Sequence, residues 1–316
     1  MQLKQLTAAA LMLAPLAASA QPATGTAPAT QGVAVREDGL VGRWFAPAGS
    51  GPAPVILVLG GSEGGLDSAT GIAERLAQEG YGVLALAWFG AEGLPEQLQE
   101  IPLEYFETAI GWIADRPRTD DAHIGVFGAS KGGEAALLIA SRDPRLHAVV
   151  AAVPSSVVWP GINRDDYMDI KSSFTADGEP VSYLPYDFSE AFTGIHDLYA
   201  RSLAFRDDHP EAIIPVERIN GPVLLISAQD DALWPSTEMA EQVMARLDAK
   251  GFAPTRRHIA YPDAGHIGIF VAGGNGDDSA YSRMGGTPEG NAAARADMWP
   301  QVVAFYREAL GAAPQD

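Results

Sequence analysis

Ile124-Gly125-Val126-Phe127-Gly128-Ala129-Ser130-Lys131-Gly132-Gly133-Glu134 is the stretch on which the reading of this chain turns. An apolar strand pattern, Ile124 to Phe127, runs into Gly128-Ala129-Ser130-Lys131-Gly132, and a helix pattern, Gly132 to Ser141, follows at once. A Gly-x-Ser-x-Gly pentapeptide is common by itself. Set between a strand and a helix, it describes a sharp turn that presents a serine hydroxyl. The turn needs unusual backbone angles, and the residues two positions away must be nearly free of side chain to avoid collision. The helix that follows points its positive N-terminal end at the serine oxygen. Glu134 falls in its first turn, where an acid complements the dipole. The competing reading is a plain helix entry with small residues and a capping serine.

A serine hydroxyl needs a base, and the base needs an orienting group. After the strand pattern Pro222 to Ser227 comes Gln229-Asp230-Asp231-Ala232-Leu233-Trp234-Pro235. An acid just past a strand's C-terminal end reaches the sheet edge where the serine is expected. Asp230 and Asp231 both qualify; Asp231, four residues before Pro235, is preferred. Ordinary turn chemistry would also place Asp here. Tyr261-Pro262-Asp263-Ala264-Gly265-His266 follows the last strand pattern and puts an imidazole on a glycine-flanked loop. The other histidines lie at strand entries (His123, His147, His258) or between residues 155 and 220 (His196, His209), and read as structural or surface. Neutral His266 would take the Ser130 proton while Asp231 holds its tautomer. The order serine, aspartate, histidine is that of the α/β-hydrolases.

The oxyanion of such a reaction needs two preset N–H donors. Lys131, next after the nucleophile, supplies one. The other is expected from Gly60-Gly61-Ser62-Glu63-Gly64-Gly65, with Gly61 the first choice and Ser62 the next. That loop is no phosphate cradle, since no Gly-Lys-Ser/Thr follows it.

Outward from this centre, strand patterns (Val55 to Leu59, Val83 to Trp88, Ala148 to Val153, Val223 to Ser227, His258 to Tyr261) alternate with helix patterns (Ala69 to Gly80, Tyr105 to Asp115, Met239 to Leu247, Met298 to Leu310). The fold class is therefore α/β, with a mostly parallel central sheet covered by helices on both faces. Ser155 to Asn220 interrupts the alternation and is rich in aromatic residues. A structureless loop of that length is out of place in a compact domain, so the segment is expected to form an inserted cap with a helix near Glu190 to Phe205. Its aromatics serve packing first. Trp159, and Trp234 beside the acid, are the candidates for substrate contact.

The chain has 316 residues, 40 acidic against 21 basic, for a net charge of −19. That balance argues against nucleic acid and anionic membrane surfaces as partners. Without cysteine there is no disulfide, thiolate metal site or thiol nucleophile. Residues 1–20 read as a signal peptide: Lys4, the apolar run Leu6 to Ala14, then Ala18-Ser19-Ala20 for cleavage. Export to the periplasm or beyond is the expectation. No later stretch reaches the apolar length of about 20 residues that spans a bilayer. Residues 21–34 read as a flexible leader and 35–312 as the folded domain. No cofactor or metal is expected. Gly273-Gly274-Asn275-Gly276-Asp277-Asp278 matches the opening of a calcium-binding β-helix repeat, but such sites need stacked copies.

Taken together, several motifs resemble the C-terminal catalytic domain of acyl-CoA thioesterases and bile acid-CoA:amino acid N-acyltransferases, a dienelactone-hydrolase-like branch of the α/β-hydrolases. They are Gly128-Ala-Ser-Lys-Gly-Gly-Glu134, Gly64-Gly65-Leu66, Leu94-Pro95 with Leu103-Glu104-Tyr105-Phe106, and Ile214-Pro215-Val216-Glu217-Arg218-Ile219. Asp230-Asp231-Ala232-Leu233-Trp234, Gly265-His266, Gly285-Gly286-Thr287, Asn291 and Trp299 continue the resemblance, which spans about residues 40 to 310. It implies hydrolysis of a small-molecule acyl ester or thioester through Ser130, Asp231 and His266. Related transferases use cysteine and pass the acyl group to an amine; Ser130 and the lack of cysteine favour water. Coenzyme A is itself highly anionic, and a chain at −19 would need a local arginine patch, such as Arg142, Arg164 or Arg257, to receive it. The alternatives are an exported carboxylesterase, an acyltransferase or peptidase-like enzyme, and a non-catalytic ligand-binding protein.

Overall fold

The computed structural model describes residues 32–268, 270 and 283–311. The continuous apolar runs become the buried strands β3 (Ala53–Leu59), β4 (Gly82–Ala87), β7 (Leu146–Ala152), β10 (Val223–Ala228) and the second half of β6 (Thr119–Ala129), while β11 (Arg256–Tyr261), at the sheet edge, is half-buried. With β1 (Val33–Val35) and β2 (Val41–Phe45) they form one sheet of order β1-β2-β4-β3-β6-β7-β10-β11. Pairing is parallel from β4 to β11 and antiparallel at the β1-β2-β4 edge. The sequence patterns did not reveal that edge. β1 begins at Val33, inside the residues read as a leader, and its partner Val41-Gly-Arg-Trp-Phe45 is short and interrupted by Gly42 and Arg43.

Alternation along each strand divides the core into two. Val55, Leu57 and Leu59 face α2 (Leu103–Ala114), α3 (Lys131–Ala140) and α5 (Ser236–Ala249). Ile56 and Val58 face α1 (Asp67–Gln78) and α6 (Pro288–Leu310). Full burial of a Val, Leu, Ile or Phe stabilises by about 1.5–3 kcal/mol. Two apolar layers on one sheet therefore account for runs with no polar face.

Between β7 and β10 the chain forms the expected cap. It holds β8 (Phe174–Ala176), β9 (Glu179–Pro180), α4 (Ile195–Leu203) and three short 3₁₀ turns. β8 pairs in parallel with β5 (Ile101–Pro102), and isolated bridges join Leu98 to Ile162 and Val157 to Ile213. A separate apolar cluster (Val157, Trp159, Leu184, Tyr199, Leu203, Trp234, Met239) seats the cap on the start of α5. α4 is shorter than the span predicted for it, since the Asp197 carboxylate accepts the Thr193 N–H and closes a turn before the helix. Among the described residues no helix is long and apolar enough to cross a membrane. Residues 1–20, read as a signal peptide, and the Gly273 to Asp278 motif lie outside the described residues.

Candidate active site

Ser130 stands between β6 and α3 at φ 57° and ψ −124°, a left-handed conformation that side-chain-bearing residues rarely adopt. Its surroundings explain the glycines. A Cβ on Gly128 would collide with the Gly132 carbonyl, and one on Gly132 would meet Leu59 O at 2.6 Å and strike Gly60 O. At Gly133 it would lie 3.0 Å from Ala152 O. Every residue of α3 is buried, so the serine stands on a helix held in place on all sides.

The loops after β10 and β11 bring the other two groups to it. His266 Nε2 lies 2.8 Å from Ser130 Oγ, and His266 Nδ1 lies 2.8 Å from Asp231 Oδ2. The second Asp231 oxygen accepts the N–H groups of Leu233, at 2.9 Å, and Trp234, at 3.2 Å. Asp231 and His266 are 6% and 3% exposed, so this line of hydrogen bonds runs through a nearly dry region where electrostatic interactions are strong. Asp230 points elsewhere: its Oδ2 accepts the Gly286 N–H at 2.8 Å.

A short strap before α6 binds the two loops together. Met284 O accepts the N–H of Ala232 at 3.2 Å and of His266 at 2.8 Å. Gly285 (φ 89°) bridges Asp231, and Gly286 (φ 79°) bridges Ala264. A Cβ on Gly285 would strike Asp230 O, and one on Gly286 would lie 2.6 Å from Asn291 Oδ1. Buried Asn291, on α6, accepts the Gly265 N–H at 2.8 Å. The sequence showed Gly285, Gly286 and Asn291 as part of a resemblance; their work as a brace needs coordinates, because nothing local reveals which loops a glycine pair will join.

The elbow also carries a buried ion pair that the sequence did not suggest. Lys131 Nζ donates to Glu134 Oε1 at 2.7 Å and to Ser173 Oγ at 2.8 Å. Ser173 in turn donates to Trp159 O at 2.9 Å, and Trp159 N–H donates to Glu134 Oε1 at 3.2 Å. Burial pushes the lysine down and the carboxyl up in pKa, and their mutual attraction opposes both shifts. The network ties the cap to the helix that bears Ser130.

Of the candidate substrate residues, Trp234 is brought against His266, edge-on with ring centroids 5.6 Å apart. Trp159 lies two rings further on: Trp234 meets Tyr199 at 5.6 Å, and Tyr199 meets Trp159 at 4.8 Å. Both tryptophans are almost wholly buried, and their indole N–H groups have no acceptor among the described residues. Burial pushes the Tyr199 phenol up to about 12. The three arginines do not form one patch. Arg257 faces Gln301 and Glu308 on α6, Arg142 follows α3 near Glu104, and only Arg164 reaches the site, where it donates to Ser62 O.

Gly61, the first choice for the oxyanion donor, has its N–H engaged by Glu63 Oε1 at 3.0 Å. The N–H groups of Ser62 and Lys131 have no acceptor among the described residues. A Cβ at Gly61 would come within 3.2 Å of Ser130 Cβ, so this loop borders the hydroxyl.

Comparison with known proteins follows the same lines. The model of the family described as BAAT / acyl-CoA thioester hydrolase C terminal matches residues 101–312. Mouse acyl-coenzyme A thioesterase 2, mitochondrial, is 33% identical over 291 residues, covering 90% of this chain and 62% of that protein. Mouse acyl-coenzyme A amino acid N-acyltransferase 1 is 31% identical over 289 residues, covering 87% and 64%. The chain thus spans less than two thirds of the length of these relatives. Among solved structures, an α/β hydrolase from Penicillium superposes with a TM-score of 0.54 at 16% identity, covering 86% of this chain and 94% of that one. A dienelactone hydrolase from Anabaena variabilis gives 0.50 at 19% identity, covering 89% and 98%. At such identities the two likenesses speak for the fold alone.

Proposed function

The chain belongs to the family of BAAT and acyl-CoA thioester hydrolase C-terminal domains, and on that footing we propose that it is a serine hydrolase of acyl esters or thioesters. Ser130 Oγ attacks the acyl carbonyl carbon as its proton passes to His266 Nε2. Asp231 keeps Nδ1 protonated and stabilises the imidazolium. The carbonyl oxygen becomes an oxyanion received by backbone N–H groups, and its collapse expels the thiolate or alkoxide, which takes the proton from His266. Water, deprotonated by the same imidazole, attacks the acyl-serine; the acid leaves and Ser130 recovers its proton.

The observation that carries this reading is the unbroken Ser130–His266–Asp231 line at 2.8 Å and 2.8 Å, built on three loops at one sheet edge. Water rather than an amine is the acceptor in this proposal because the nucleophile is serine in a chain without cysteine. Trp234 and the cap aromatics would wall the acyl side. In the same proposal residues 1–20 direct the enzyme out of the cytoplasm, whereas one relative is named mitochondrial. An N-terminus at Gln21 in the exported protein would support that part; retention of Met1 would remove it.

The deciding experiment is a panel of acyl-CoA, aryl ester and lactone substrates on wild type and Ser130→Ala, with fluorophosphonate labelling. Wild type should turn over part of the panel and label at Ser130, and Ser130→Ala should lose at least about 10³-fold in kcat. Absence of both turnover and label would refute the reading. Amide product in the presence of added amino acids would instead indicate acyl transfer.

A further inference from the structure

The loop after β3 contains a pattern of restraint that bears on the hydrolase reading above and rests on it. Three successive peptide groups follow Gly60. The Gly60–Gly61 peptide is held at both ends: Trp88 Nε1 donates to Gly60 O at 3.3 Å, and Gly61 N–H donates to Glu63 Oε1 at 3.0 Å. The same carboxylate oxygen takes the Ser68 hydroxyl at the start of α1. The Ser62–Glu63 peptide is held at Ser62 O by the guanidinium of Arg164, which belongs to the cap. Arg164 is anchored in turn, its own N–H donating to Gln97 Oε1 at 2.9 Å. Between these clamped groups lies the Gly61–Ser62 peptide, whose N–H has no acceptor among the described residues.

An N–H already committed to a carboxylate is poorly placed to receive a developing oxyanion, since the anion would have to displace a like charge. A donor contributes most when it is fixed before reaction and free of other partners. In a glycine-rich loop that fixity has to come from neighbours, because the backbone itself is permissive. Glu63 is exposed and Arg164 half-buried, so packing does not account for where their charged groups lie. We propose that the Ser62 N–H, rather than that of Gly61, is the partner of the Lys131 N–H at the oxyanion, and that Glu63 and Arg164 are positioning residues that hold it there. Because Arg164 is carried by the cap, the geometry of the reacting centre is set in part by how the cap is seated.

The test uses the full-length protein and a neutral short aryl ester, so that substrate charge plays no part, with thermal midpoints recorded alongside. Ser62→Pro removes the Ser62 N–H and should lower kcat by about 10²- to 10³-fold. Glu63→Ala and Arg164→Met should each lower kcat by about 10- to 100-fold, as small misplacements of reacting groups do, with KM nearly unchanged. Glu63→Gln and Arg164→Lys, which retain an acceptor and a donor, should recover part of the loss. A folded Ser62→Pro that retains kcat overturns the proposal. Should that variant not fold, the Glu63 and Arg164 variants decide: effects confined to KM or thermal midpoint overturn it too. Faster hydrolysis by Glu63→Ala would mean that the carboxylate obstructs Gly61, and that Gly61 is the donor. Failure of the underlying hydrolase reading is distinct, because wild type would then neither turn over nor label at Ser130.

Discussion

Asp230 and Asp231 are adjacent, carry the same side chain and follow the same strand, yet only Asp231 meets the imidazole. The backbone turns between them, and Asp230 instead takes the Gly286 N–H. Replacing Asp231 with Asn should therefore leave the fold intact and lower kcat by about 10⁴-fold, through loss of the correct imidazole tautomer. Asp230→Asn should cost a small fraction of that. Steady-state kinetics on the two variants, made side by side, would expose an exchange of roles. At this scale the sequence singled out Ser130 and His266, which the fold brings within hydrogen-bonding distance, because elbow and loop each have a local signature. It favoured Asp231 on spacing alone, and it could not show that the Gly61 N–H is engaged by Glu63, because which neighbours a backbone donor meets depends on the folded loop.

Among the elements, α3 repays attention for a charge pair where apolar residues would pack. Removing one partner of a buried pair leaves the other uncompensated, so Lys131→Met alone should destabilise the protein by about 3–5 kcal/mol. The double variant Lys131→Met, Glu134→Leu should recover most of that loss. Denaturant midpoints at constant m-value would show the recovery, and equal losses in single and double variants would contradict it. The strap before α6 makes a second case. Asn291→Ala leaves the buried Gly265 N–H without its acceptor, which costs about 1–3 kcal/mol. Activity should fall further than stability, since His266 is the next residue. Central strands were readable as apolar runs, because they bury both faces, and helix centres from their periodicity. The β1–β2 edge and the true start of α4 were not, since short segments take their structure from pairing and capping partners far away or just outside the pattern.

For the molecule as a whole, the net charge of −19 implies self-repulsion in the folded state. Raising monovalent salt from about 10 mM to 150 mM shortens the screening length to about 8 Å, so the thermal midpoint should rise. A midpoint that falls with salt would mean that specific pairs such as Arg246–Glu217, at 2.6 Å, outweigh the repulsion. That pair also sets an acid limit. The Arg246 guanidinium holds the Glu217 carboxyl below its ordinary pKa, so its contribution is complete above the ordinary value and is lost as pH falls through the lowered one. Composition and charge gave this global picture early, whereas the seating of the cap through β5–β8 could not be anticipated from residues that lie far apart in the chain.

The strap from Met284 to Thr287 has a consequence in time. A ribosome delivers Ser130 first, Asp231 later and His266 later still, and the loops bearing Asp231 and His266, besides bonding to each other, are braced through residues that precede and begin α6. A chain cut before Met284 would carry Ser130 on a finished helix without the brace that orders the two loops beside it. On the hydrolase reading, such a copy should therefore be chemically silent even where most of its sheet has formed.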